Sequence, residues 1–132
     1  MKVEEHEKAY KEHKNFIDRS IEERMENSQR NLAYNISQGS VELFAIFLHK
    51  LNLIHSSGDQ IDHRIFKSKN LTEKKLNFSF PQKNKILGFM KKIEEERNAL
   101  CYGSRKPKAR INKIILNFNE LRKIINREIK NA

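Results

Sequence analysis

Residues 86–103 read ILGFMKKIEEERNALCYG. Ile86, Met90, Ile93 and Leu100 recur at helical spacing, with Phe89 and Cys101 beside them, which predicts an amphipathic helix with one apolar stripe. Arg97 falls on that stripe, four residues after Ile93 and three before Leu100. A guanidinium placed among apolar side chains needs partners, because burying an unpaired charge is costly. Asn98 and Tyr102 follow on the same helix. Gly103 supplies a C′ stop, and Pro107 lies just beyond it. The basic run Arg105, Lys106, Lys108 and Arg110 sits against that stop. An inward arginine, polar neighbours and a cationic rim suggest a site that receives an anion. In the competing reading, Arg97 snorkels to water or pairs with a glutamate.

Working outward, the chain has 132 residues, which suits one domain with one core spanning residues 1–132. Charged residues make up 33% against only four Gly and two Pro, a mixture that favours long helices over strands and turns. The single Cys101 excludes an intramolecular disulfide framework and a multi-thiolate zinc cluster, and points to a reducing cytoplasm. No apolar run approaches the ~18 residues of a membrane span, and no signal-type apolar core opens the chain. Charge is unevenly spread. Residues 1–63 hold 8 Lys/Arg against 11 Asp/Glu, net −3, while residues 64–132 hold 19 against 6, net +13. Such a field concentrates polyanions near one side of a molecule.

Four main helices are expected, at about 3–27, 32–54, 82–102 and 108–130. The first is rich in Glu and Lys, with a thin apolar side of Ala9, Tyr10, Phe16, Ile17, Ile21 and Met25. His6 and His13 lie among its charges and read as solvated, since a metal site wants i, i+4 histidines or converging carboxylates. Asn27 and Ser28 are candidate caps for the second helix. That helix carries Leu32, Ile36, Leu43, Phe47, Leu51 and Ile54 and forms the centre of the core. Gly39 and Ser40 within it permit close helix approach or a mild bend. His49 falls at its edge and reads as no ligand. Ser56–Asp59 would end it, and residues 55–81 form a partly helical excursion with short turns at 61–67 and 71–76. This excursion carries Lys67, Lys69, Lys74 and Lys75, with Phe66, Phe78 and Phe80 among them. Basic residues interleaved with aromatics can hold single-stranded nucleic acid, or the phenylalanines can pin the excursion to the bundle. Pro81 opens the third helix near N1. Ile111, Ile114, Ile115, Phe118, Leu121, Ile125 and Ile129 mark the buried side of the fourth.

No glycine-rich phosphate loop, H-E-x-x-H or paired-cysteine signature is present, so neither a cofactor nor a metal is expected. Glu94, Glu95 and Glu96 precede Arg97 and read as ion-pairing with Lys91, Lys92 or Arg97. Four antiparallel helices, a long insertion after the second, the apolar segment 35–50, and the R-N-x-x-x-aromatic pattern at Arg97, Asn98 and Tyr102 together resemble the HEPN superfamily over residues 8–130. The resemblance implies an all-α, up-down four-helix bundle. Active relatives cleave RNA without metal, with two Arg-polar-His motifs facing each other across a dimer. Here Tyr102 stands where the family carries histidine. A tyrosine with an ordinary pKa of ~10 is a poor general base, whereas arginine can still steady phosphate charge. The resemblance therefore implies a dimeric RNA- or nucleotide-binding protein with an altered ribonuclease motif. Arg97, Asn98 and Tyr102 are its site residues. The cations at Lys67, Lys69, Lys74, Lys75, Arg105, Lys106, Lys108 and Arg110 are its nucleic-acid surface. Two alternatives stand beside it. One is a metal-independent endoribonuclease of toxin type, in which Tyr102 or a residue from elsewhere replaces histidine. The other is a helical interaction module partnering a nucleotidyltransferase antitoxin.

Overall fold

The computed structural model describes residues 1–23, 25–55 and 61–131. Among these the chain is all-helical: α1 (Val3–Glu22), a 3-10 turn (Met25–Ser28), α2 (Gln29–Lys50), a second 3-10 turn (His63–Lys67), α3 (Lys69–Lys75), α4 (Lys83–Cys101) and α5 (Lys108–Asn131). His6 of α1 meets Glu42 of α2 while His13 meets Asn35, so these two helices run antiparallel. Arg30 reaches Cys101 while Ser37 meets Arg97, so α4 runs antiparallel to α2 as well. Residues 102–107 then turn α5 back along α4, where Glu96 meets Arg110 and Lys113.

The apolar helix α2 touches α1, α4 and α5, which makes it the centre of the core as its sequence demands. Phe47, Ile93 and Phe118, one from each of α2, α4 and α5, are fully buried together. Among the long helices α1 has a close backbone neighbour only in α2, although its Tyr10 hydroxyl accepts from Arg122 of α5 at 3.2 Å. Gly39 allows that approach. A Cβ there would stand 3.4 Å from the Cβ of His13.

Several helix ends differ from expectation. The first helix stops at Glu22 and not near residue 27, because its inner face runs out after Ile17 and Ser20 and Ile21 is already exposed. The second starts at Gln29, three residues before Leu32, and Ser28 makes no side-chain cap. Gln29 is buried because its amide bridges the far end of α4, donating to the Leu100 carbonyl and accepting from the Lys106 N–H. The second helix also ends four residues before Ile54. Asn52 takes φ +58°, Asn52 N–H bonds the His49 carbonyl and Leu53 N–H bonds the Leu48 carbonyl, a Schellman stop with asparagine in the usual glycine place. The stop expected at Ser56–Asp59 lies outside the described residues.

The excursion is pinned by its phenylalanines. Phe66 and Phe80 are buried against Phe44 at ring separations of 5.9 and 5.6 Å, so neither is open to stack on a base. Its turns are capped locally. Asp62 accepts from the Arg64 N–H, and Ser68 accepts from the Leu71 N–H. Lys83 donates to the carbonyls of Leu76 and Phe78, which ties the start of α4 to this loop. Gln82, at φ +61°, precedes α4 without a side-chain cap. Gly103 follows it at φ +83°, in the stop position that the sequence indicated.

Candidate functional site

The apolar stripe of α4 is buried at Ile86, Met90, Ile93 and Leu100, and Arg97 is buried with it at 7% exposure. Its partners come from α2. Nη1 donates to the Ser37 hydroxyl at 3.2 Å, and the guanidinium lies 5.2 Å from the centre of the Tyr34 ring. Such a stacked guanidinium gains on the order of 1–2 kcal/mol where water is excluded. Its Nε is buried without a hydrogen-bond partner. Arg97 therefore neither snorkels to water nor pairs with a glutamate.

The other two motif residues do not join it. Asn98 is exposed, and Tyr102 is 65% exposed on extended backbone past the helix end. A five-residue step turns ~140° around a helix and advances ~7.5 Å, so Arg97 and Tyr102 diverge within one chain. Cys101 beside them is half-buried, and burial pushes its thiol up, the reverse of an activated thiolate.

Two of the three glutamates before Arg97 are buried, and each recruits a partner from outside α4. Glu94, 2% exposed, receives His63 Nδ1 at 2.6 Å. Glu96 receives Arg110 Nε at 2.9 Å, with Lys113 at 3.9 Å. The expected pairing with Lys91, Lys92 or Arg97 does not occur, because the first two point to solvent while Glu94 and Glu96 point inward. The sequence reading missed His63, Tyr34 and Ser37. Tyr34 and Ser37 stand three apart on α2 and so share a face, but nothing local says that the face meets Arg97. His63 borders a small open pocket of about 180 Å³ with Gln38, Ile61 and Asp62. Asp62 itself is held well below the usual carboxylate range by hydrogen bonds from Arg64.

The eight cations fall into two groups at opposite ends of α4. Lys67, Lys69, Lys74 and Lys75 are exposed on the second 3-10 turn and α3, and make no ion pair among the described residues. Lys69 opens onto a groove of about 430 Å³ beside the first half of α4, where Lys83 and Lys91 outnumber the one carboxylate, Glu73. Arg105, Lys106, Lys108 and Arg110 follow the other end of α4, more than ~15 Å along the axis from Lys91. There Arg110 is committed to Glu96, and the Lys106 N–H to Gln29. Arg105 borders a groove of about 200 Å³ with Arg30, Asn27 and Asn31. Arg30, not singled out by sequence, donates to the Cys101 and Gly103 carbonyls at 3.1 and 2.8 Å and so closes the end of α4.

Among the described residues no helix is long and apolar enough to cross a membrane, and no group of three or more His, Cys, Asp or Glu side chains is arranged to hold a metal ion. Comparison with family models, curated proteins and solved structures found no match.

Proposed function

We propose that the chain is a HEPN-like, up-down helical bundle that binds RNA or a nucleotide, as a dimer with an altered ribonuclease motif. The observation that carries the reading is the set of exposed lysines at Lys67, Lys69, Lys74 and Lys75 beside the lysine-lined groove of α4. Cations without carboxylate partners keep their full charge for phosphate, and their binding releases counterions. Arg110 contributes less, since Glu96 neutralises it. The test is titration of labelled single-stranded RNA at low and high salt. Reversing Lys74 and Lys75 to glutamate should weaken binding at least ~10-fold, and reversing Lys8 and Lys11 should change it little. Equal effects from the two pairs, or no binding at low salt, would remove the proposal.

One observation favours a second reading, metal-independent RNA cleavage. Buried Glu94 holds His63 Nδ1, which leaves Nε2 as the proton-exchanging atom, and Glu94 stands one turn before Arg97. A carboxylate that orients an imidazole is an arrangement suited to general acid–base catalysis near neutral pH. In this reading His63 supplies the histidine that position 102 lacks. Incubation of labelled RNA with chelator present separates the readings. Cleavage that is lost in His63→Gln while RNA binding persists supports the second, and no cleavage by the unaltered protein leaves only the first.

A further inference from the structure

A second histidine cluster lies on α1 and the end of α2, away from the lysine groove, and its interpretation does not depend on RNA binding. His6 is 5% exposed, although it sits in a helix of charged residues. Its Nδ1 lies 2.5 Å from Glu42 Oε2. Its Nε2 is buried and has no hydrogen-bond partner. The His49 ring packs beside it, centroids 5.3 Å apart and planes tilted by 47°. His49 is hydrogen-bonded to the Met1 backbone carbonyl, and its Nε2 too is buried and unpartnered. The bond to Met1 therefore runs through Nδ1.

In the neutral form each ring would donate from Nδ1 to its acceptor, a carboxylate for His6 and a backbone carbonyl for His49. A ring that donates from Nδ1 presents a bare lone pair at Nε2. Two buried ring nitrogens without partners are expensive for a protein to keep. The outer acceptors are of the kinds that orient metal-bound imidazoles and raise their basicity. The spacing agrees. With metal–nitrogen bonds of ~2.0–2.1 Å, each ring centre stands ~3.2 Å from the ion, and at a tetrahedral angle the two centres lie ~5.2 Å apart.

We propose that His6 and His49 bind one divalent transition-metal ion of imidazole preference, Zn²⁺ or Cu²⁺, through their Nε2 atoms. Glu42 is the positioning residue. Because no third His, Cys, Asp or Glu converges on the pair among the described residues, the protein supplies two ligands and water completes the shell. His13 takes no part, since it stands two turns, ~10.5 Å along the helix axis, from His6.

The test uses the full chain without a histidine tag, and Zn²⁺ as probe. Imidazole ¹⁵N spectra of the unaltered protein should show His6 and His49 both protonated at Nδ1, and Zn²⁺ should shift their Nε2 resonances at one equivalent. Calorimetric titration should show that site weakened by roughly 10–100-fold in Glu42→Gln and lost in His49→Gln, with His13→Gln unchanged. The spectra need no variant to fold. Zn²⁺ that leaves both Nε2 resonances in place, or that binds His49→Gln as well as the unaltered protein, overturns the proposal.

Discussion

The two histidine–carboxylate pairs are built the opposite way round. In His6–Glu42 the imidazole is buried and the carboxylate keeps 16% of its side-chain surface. In His63–Glu94 the carboxylate is buried and the imidazole keeps 21%. The buried member decides what each pair can do. An imidazole can be buried neutral, so the first pair can keep its histidine from water without burying a net charge on the ring. A carboxylate cannot be buried charged without a partner, so the second pair depends on its histidine.

The contrast can be broken or sharpened by substitution. The largest effect should come from the core beneath both pairs. Phe47→Ala should cost about 3–5 kcal/mol in urea unfolding, since the ring is fully buried between α2 and the excursion. A loss below about 1 kcal/mol would show that α2 is not the centre of the core. Next, His63→Ala strands Glu94 in an apolar wall and should cost about 3 kcal/mol near neutral pH. Glu42→Ala removes the more exposed member of the other pair, lets water reach Nδ1, and should cost about 1 kcal/mol. Equal losses from these two would erase the distinction between the pairs.

Smaller effects test the charges around them. Arg97→Met fills similar volume, removes the unpartnered Nε and should stay within about 1 kcal/mol of the parent protein. If its RNA affinity falls while its melting curve is kept, the guanidinium meets the ligand. If both are unchanged, Arg97 serves only to hold α4 against Tyr34 and Ser37. The smallest effect belongs to Asp62, whose pair with Arg64 lies on the surface beside His63. A depressed folded pKa gives stability that is present above the unfolded value of ~3.9 and lost as pH falls through the folded value. Asp62→Asn keeps a capping side chain, so it should cost only about 0.2–1 kcal/mol at pH 6, with the difference fading below about pH 4. A difference that persists undiminished into acid would mean that the carboxylate charge is not what stabilises the turn.

The helices and the core were legible because helical spacing is a local property. The stripe of α4, the glycine stop after it and the buried side of α5 all follow from residues within a few turns. The helix ends were less so. Asn52 can take a left-handed conformation as glycine does, and the sequence reading overlooked it in favour of the serines and glycine that follow. Gln29 was unreadable in kind, since its bonds go to α4. The inward turn of Arg97 was legible from the stripe, and its divergence from Tyr102 from helix geometry. Its partners were not, because Ser37 and Tyr34 are sixty or more residues away and only packing selects them. His6 was misread for the same reason. Its neighbours in sequence are charged, yet the far end of α2 covers it.

The join between the start of α2 and the end of α4 also bears on the order in which the molecule assembles. Gln29 and Arg30 make their bonds across 71 to 77 residues, whereas α1–α2 and α4–α5 each close through a short link. Two hairpins with local contacts should form early, and bonds across so long a loop should form after both are in place. A clasp of that kind acts mainly on the rate of coming apart. It gives the molecule a longer native lifetime without slowing its formation.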